Sequence, residues 1–213
     1  MNVTVFGATG GVGAHVVDAL RSRGHAVTAH VRNPDKVPSS WGEGVALVVG
    51  ELSDAAAVGR AVQGADAVVS ALNPSMDRRA TGLPLVEGTR TIVTAMQEHG
   101  VRRYVGIGTP SVLDAQETPT WQTRLPTFMA RTFLRRAYDE LVGMSRVVTT
   151  SGLDWTIVRF IAPQDGPSTG TVRSGFYGTD ALGLGVTRAD IGAFAAAQVD
   201  DPRYVGRAPA ISN

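Results

Sequence analysis

Cysteine is missing altogether from the 213 residues, which excludes disulfides, thiolate nucleophiles and cysteine-ligated zinc. Lysine is nearly missing too. Of the 20 basic residues only Lys36 is a lysine, so chemistry that needs a lysine anywhere else in the chain is excluded. Neither sign of charge dominates: 20 basic against 19 acidic residues leave +1, and no whole-molecule field draws the chain to nucleic acid or an anionic membrane. No apolar run reaches the ~18 residues that span a bilayer. No charged-then-apolar leader precedes a first strand that starts at residue 2, so a soluble, cytoplasmic protein is expected. The four histidines (His15, His25, His30, His99) show no ligand spacing, and no metal is expected. The wealth of arginine and alanine fits a GC-rich bacterial genome. At this length one domain over residues 1–213 is expected, with ample chain to bury a core.

What is present begins at once. Val3-Thr4-Val5-Phe6 is a β-branched and aromatic run that reads as a strand. Gly7-Ala8-Thr9-Gly10-Gly11-Val12-Gly13 turns it into a helix with an apolar stripe of Val12, Val16, Ala19 and Leu20, stopped by Gly24. Ala26-Val27-Thr28-Ala29-His30-Val31-Arg32 is the second strand of a βαβ unit. The three glycines have separate duties in a dinucleotide site. Gly7 permits the sharp turn, Gly10 lets phosphate oxygens approach the backbone, and Gly13 lets the helix pack close to the sheet. The helix N-terminus supplies free N–H donors and partial positive charge. A bare glycine match could be a tight turn and nothing more; one framed by strand, helix and strand points to a dinucleotide.

Arg32 closes the second strand, where NAD-selective members of this fold carry an acid for the ribose 2′-hydroxyl. A carboxylate there would repel a 2′-phosphate, whereas a guanidinium grips it with two parallel hydrogen bonds. NADP(H) is therefore the expected cofactor, the alternative being a solvated loop arginine.

Farther along, Val45-Ala46-Leu47-Val48-Val49 reads as a third strand and Ala67-Val68-Val69-Ser70-Ala71-Leu72 as a fourth, buried on both faces. Between them Ser53 or Asp54 caps a helix through about Val62, and Glu51 and Leu52 stand where an adenine would edge against the sheet. Residues 73–84 read as a loop, 85–99 as a helix and 103–109 as the fifth strand. Residues 114–126 read as a second loop and 127–150 as one long helix, with Met129, Phe133, Ala137, Leu141, Met144 and Val148 on its apolar face. Five arginines lie in residues 121–150 against Asp139 and Glu140, a local excess of 5 − 2 = +3. They make either a solvated helix face or a surface for an anionic substrate or protein partner. Trp155-Thr156-Ile157-Val158-Arg159-Phe160 is the sixth strand. A short strand near 171–176, a helix from Arg188 or Ala189 to Val199 capped by Thr187, and a last strand near 208–212 complete the pattern. The expected fold is α/β, a Rossmann-like doubly wound parallel sheet with helices on both faces and a small C-terminal substrate-side lobe. Ligands then bind beyond the strand tips, at Gly7 to Gly13, Arg32, Glu51 and Leu52, Ala71 to Pro74, and Gly108 to Ser111.

Four phrases carry a family resemblance: the glycine turn 7–13, Val31-Arg32-Asn33-Pro34, Ser151-Gly152-Leu153-Asp154-Trp155-Thr156-Ile157-Val158-Arg159, and Arg188-Ala189-Asp190-Ile191. Together they resemble the atypical short-chain dehydrogenase/reductases, within them the NAD(P)H-binding, NmrA-like branch that includes biliverdin IXβ reductase/flavin reductase. The resemblance implies that Thr9, Gly10, Gly11 and Val12 hold the pyrophosphate and Arg32 the 2′-phosphate, and that Ala71 and Leu72 flank the adenosine ribose. It places Thr109 beside the nicotinamide as the candidate catalytic residue. Phe160 departs from the proline usual after the arginine, which alters the wall near the carboxamide.

The larger departure concerns catalysis. Typical short-chain dehydrogenases pair a tyrosine with a lysine four residues on, and the lysine lowers the tyrosine pKa. Tyr138 lies in the right helix, but Val142 stands four residues later. A ketone reduced to an alkoxide demands a proton donor in the site. A flavin, quinone or conjugated tetrapyrrole leaves a delocalised anion that can wait for water. The expected function is therefore an NADPH-dependent reductase passing hydride to such a small-molecule acceptor, with Trp121, Phe128 and Met129 as candidate pocket walls. The alternative is a non-catalytic NADP(H)-binding sensor with a protein partner. A monomer or homodimer is expected.

Overall fold

The computed structural model describes residues 1–75, 81–118 and 120–213. Strand β1 (Asn2–Phe6) runs up the middle of the sheet. Its alternation separates the two faces: Val3 and Val5 join one apolar cluster and Phe6 the other. Helix α1 (Gly13–Ser22) returns along the first face, and β2 (Ala26–Val31) pairs parallel to β1. Next come β3 (Val45–Val49), α2 (Ala55–Val62), β4 (Ala67–Ser70), α3 (Pro84–Glu98) and β5 (Arg103–Gly108). Of the two candidate caps, Asp54 is the one used: its Oδ1 accepts the Ala57 N–H at 3.0 Å.

After a connecting loop the chain forms α4 (Trp121–Phe133), α5 (Arg135–Thr149) and β6 (Asp154–Arg159). Short strands β7 (Ala162–Gln164), β8 (Arg173–Gly175) and β9 (Gly185–Thr187) precede α6 (Arg188–Ala197) and the final β10 (Ala210–Ser212). The main sheet has the order β3-β2-β1-β4-β5-β6-β10-β8, parallel except for the antiparallel edge strand β8. Strands β7 and β9 pair separately and form the C-terminal lobe. One face is covered by α1 and α6, the other by α2, α3 and α5. Glycine sets how closely the helices lie. A Cβ on Gly192 would stand 2.6 Å from His15 Cβ, where α6 crosses α1, and one on Gly143 would stand 2.7 Å from Val86, where α5 crosses α3.

The strand order reverses between β1 and β4, which opens the crevice where doubly wound sheets take their ligands. Two expectations need correction. The long helix over 127–150 is two helices broken at Leu134 (φ −129°, ψ 38°), and the first begins at Trp121, inside the segment read as loop. Periodicity runs through the break, so only part of the expected face is buried: Leu141, Met144 and Val148 are inside, Met129 and Phe133 outside. Strands β7 and β9 were not foreseen.

Candidate cofactor site

Gly7 is in the left-handed region (φ +73°), and a Cβ on it would meet the Ala71 backbone carbon at 2.8 Å. No other residue type fits this junction of β1 and β4. The turn then closes with the Gly10 N–H donating to the Gly7 oxygen at 3.0 Å, and the Ala14 N–H to the Gly10 oxygen at 3.0 Å. A Cβ on Gly13 would stand only 2.0 Å from the Gly7 oxygen, so the first turn of α1 rests directly on the loop. Gly10 and Gly11 are exposed, and α1 has neither a side-chain cap nor an acid in its first turn. The N–H groups at its start are therefore left to an incoming anion.

The structure brings the other expected residues to the same edge. Arg32 follows β2 directly, is exposed and has no ion-pair partner among the described residues. Ala71 and Leu72 follow β4, and the Ala71 N–H donates to the Phe6 oxygen at 2.9 Å, locking their tip beside Gly7. Glu51 is exposed after β3, and Leu52 leans toward α3, where a Cβ on Gly88 would meet it at 2.8 Å. Thr109 follows β5, half-buried, its hydroxyl accepting the Ser111 N–H at 3.3 Å. Phe160 follows β6 and donates its N–H to the Gly108 oxygen at 3.4 Å, but its side chain is buried in the cluster under α1 and α6. The other suggested walls, Trp121, Phe128 and Met129, are all exposed on α4. Tyr138 lines a surface groove with Arg131, Arg135 and Asp139. The excess of arginine is also partly cancelled within α5, where Arg135 pairs with Asp139 and Arg136 with Glu140.

Several residues that shape the site were not singled out by sequence. Arg159, wholly buried, donates to both carboxylate oxygens of Glu117 (2.9 and 2.6 Å), to the Val112 oxygen (2.6 Å) and to the Ala208 oxygen (2.7 Å). This pins the loop after Thr109 to the tip of β6. Asp114 anchors the same loop by accepting from Arg207 and from the Ala208 N–H. Burial alone would raise the Asp114 carboxyl, yet the hydrogen bonds from Arg207 and from the Gln116 and Ala208 N–H groups hold it below the usual carboxylate range. A charged residue inside an apolar strand, as Arg159 is, demands a buried partner; that was the available signal.

Asp190 is a second knot. It accepts from Ser168, Thr169 and Thr187 and from the Asn213 amide, so it joins the 168–170 turn, the start of α6 and the end of β10. Burial pushes its carboxyl up, but the hydrogen bonds from Ser168, Thr169 and Thr187 outweigh it and bring the pKa to about 2. Among the described residues no group of histidines and carboxylates could hold a metal, and no helix is long and apolar enough to cross a membrane.

Comparison with known proteins shows the family and the fold. Residues 7–202 match the model of a family described as NAD(P)H-binding. The chain is 33% identical over 192 residues to a 3-diazoavenalumate denitrifying reductase of Streptomyces sp., covering 82% of this chain and 60% of that protein's length. Among solved structures, the anaerobillin reductase ChuY of Escherichia coli O157:H7 superposes with a TM-score of 0.78 at 21% identity, over 99% of this chain and 96% of that one. A short-chain dehydrogenase/reductase of Veillonella parvula, solved with NADP, superposes at 0.79 with 16% identity, over 100% and 94%.

Proposed function

The chain belongs to the NAD(P)H-binding family, and from that premise we propose that it is an NADPH-dependent reductase that passes hydride to a flat conjugated acceptor such as a flavin or quinone. One observation carries the reading. An uncapped helix start on three tightly constrained glycines stands at the sheet's switch point, with the exposed cation Arg32, unpaired among the described residues, on the neighbouring tip. Gly10, Gly11 and Val12 would take the pyrophosphate and Arg32 the 2′-phosphate. Thr109 would lie beside the nicotinamide and orient the acceptor. The cofactor supplies the hydride; the chain positions it and shields it. The reductase named above supports the redox class. The absent tyrosine–lysine pair favours acceptors whose reduced form needs no proton donor in the site.

A second reading, a non-catalytic NADP(H) sensor, is favoured by the exposed apolar residues of α4, which suit a protein partner. The test is one titration and one assay. NADPH binding is followed by its fluorescence, then its oxidation with FMN, FAD, riboflavin, menadione and biliverdin in turn. Turnover with any acceptor supports the reductase. Tight binding without turnover favours the sensor, and no binding overturns both.

A further inference from the structure

The glycine turn carries no basic side chain of its own: residues 7–13 are Gly, Ala, Thr, Gly, Gly, Val and Gly. A cation nevertheless lies across it, sent from the far end of the chain. A Cβ on Gly11 would stand 3.4 Å from both Cδ and Nε of Arg188, the first residue of α6. This contact falls on the exposed turn whose N–H groups precede the first helical hydrogen bond of α1.

The position of Arg188 is firmly set from below. Thr187 caps α6 by accepting the Asp190 N–H at 3.0 Å and donating to its carboxylate at 2.8 Å. Helix α6 itself is packed on α1 through Gly192. By contrast the guanidinium is held, among the described residues, by an ion pair to Asp165 at 2.5 Å, and that carboxylate is 94% exposed. Exposed pairs of this kind add little to stability. The arrangement is a cation fixed at its base, loosely engaged at its tip by a water-exposed anion, and lying against a phosphate-binding turn.

We propose that Arg188 is a pyrophosphate ligand of the bound dinucleotide, and that Asp165 is the internal anion the pyrophosphate displaces. This rests on the NAD(P)H-binding reading of the site. A diphosphate offers more charge and more acceptor oxygens than one solvated carboxylate, so the guanidinium exchanges Asp165 for it. Because both cofactors carry the pyrophosphate, Arg188 serves NADPH and NADH alike, which separates its role from that of Arg32.

The experiment is fluorescence titration of NADPH and NADH into the wild type, Arg188→Gln, Arg188→Lys and Asp165→Asn, with thermal melting of each cofactor-free protein. Failure of the wild type to bind either cofactor would remove the reading on which the proposal rests. With the wild type binding, Arg188→Gln is expected to raise both dissociation constants by the same factor, about 10- to 100-fold. Arg188→Lys should recover part of the loss, Asp165→Asn should bind a few-fold tighter, and all melts should stay close to wild type. An Arg188→Gln protein that binds both cofactors as the wild type does would overturn the proposal, as would one that loses NADPH alone. A lowered melt in Arg188→Gln with no recovery in Arg188→Lys would also overturn it, by making the residue structural.

Discussion

Glu117→Gln removes one charge and almost no volume, and the expected damage is large. The Arg159 side chain is 0% exposed and that of Glu117 5% exposed, so neither charge is solvated. Taking away one partner of such a pair strands a buried cation, at about 3–5 kcal/mol. The low end applies here, because Arg159 keeps the Val112 and Ala208 carbonyls and its place 5.5 Å above the Tyr177 ring. About 3 kcal/mol in a chain of this size lowers the melting temperature by about 6–12 °C. Urea unfolding should show the loss as a lower midpoint at unchanged slope. The companion variant Glu117→Met with Arg159→Met strands no charge and should regain part of the loss, the remainder being the donor that the Val112 and Ala208 carbonyls lose. A Glu117→Gln protein within about 1 kcal/mol of wild type would refute the reasoning. A double variant no better than the single would mean that shape and the two carbonyls, and not the stranded charge, are what matter.

The same structure supports further tests. Arg32→Glu should weaken NADPH about 100-fold, by replacing an attraction to the 2′-phosphate with a repulsion, and leave NADH within about 3-fold; fluorescence titration reads both. Gly13→Ala places a methyl 2.0 Å from the Gly7 oxygen, so the melt should fall by about 5–10 °C and NADPH affinity by at least about 10-fold. Asp190 has a folded pKa of about 2, below its unfolded value. Its contribution of about 2 kcal/mol is present above pH ~4 and lost as pH falls toward 2. Asp190→Asn should flatten that acid limb in urea midpoints measured against pH. Tyr138→Phe should leave turnover on whichever acceptor is reduced within about 2-fold, whereas a general acid would lose about a hundredfold or more.

The parallel sheet was legible because its strands are continuous apolar runs set between helical periods, and the glycine turn because its constraints are local. Asp54 and Thr187 were readable as caps for the same reason. The break at Leu134 was not, because Met129, Phe133, Ala137 and Leu141 keep the four-residue step through a residue whose backbone leaves the helix. Strands β7 and β9 have three residues each and no alternation, so only their tertiary pairing defines them. At the site, Arg32 and Thr109 could be placed because they end strands. Glu117, Asp114 and Asp165 could not, because each acts on an arginine 42, 93 or 23 residues away, a pairing that no local pattern encodes.

The four tyrosines bear most directly on what chemistry the site performs. Tyr104 is buried under α5, which pushes its phenol up to about 12, and Tyr177 is pushed up further by burial behind Glu117 and Arg159. Both are poor acids near neutral pH. Tyr204 is committed to Ser174 at 3.1 Å and to the Arg203 guanidinium above its ring. Tyr138 lies near the start of α5 in a surface groove with Arg131, Arg135 and Asp139, within a turn of Arg136, which donates to the Ser75 oxygen after β4. The one lysine, Lys36, is exposed in the turn after β2, four residues beyond Arg32. Tyr104, Tyr177 and Tyr204 are thus not prepared to donate a proton where Thr109 would face the nicotinamide, and the Tyr138→Phe variant decides for the fourth. If Tyr138 is idle there too, the proposed hydride transfer ends on an acceptor that holds the charge itself, and for that proposal conjugated rings are the substrates to try before simple ketones.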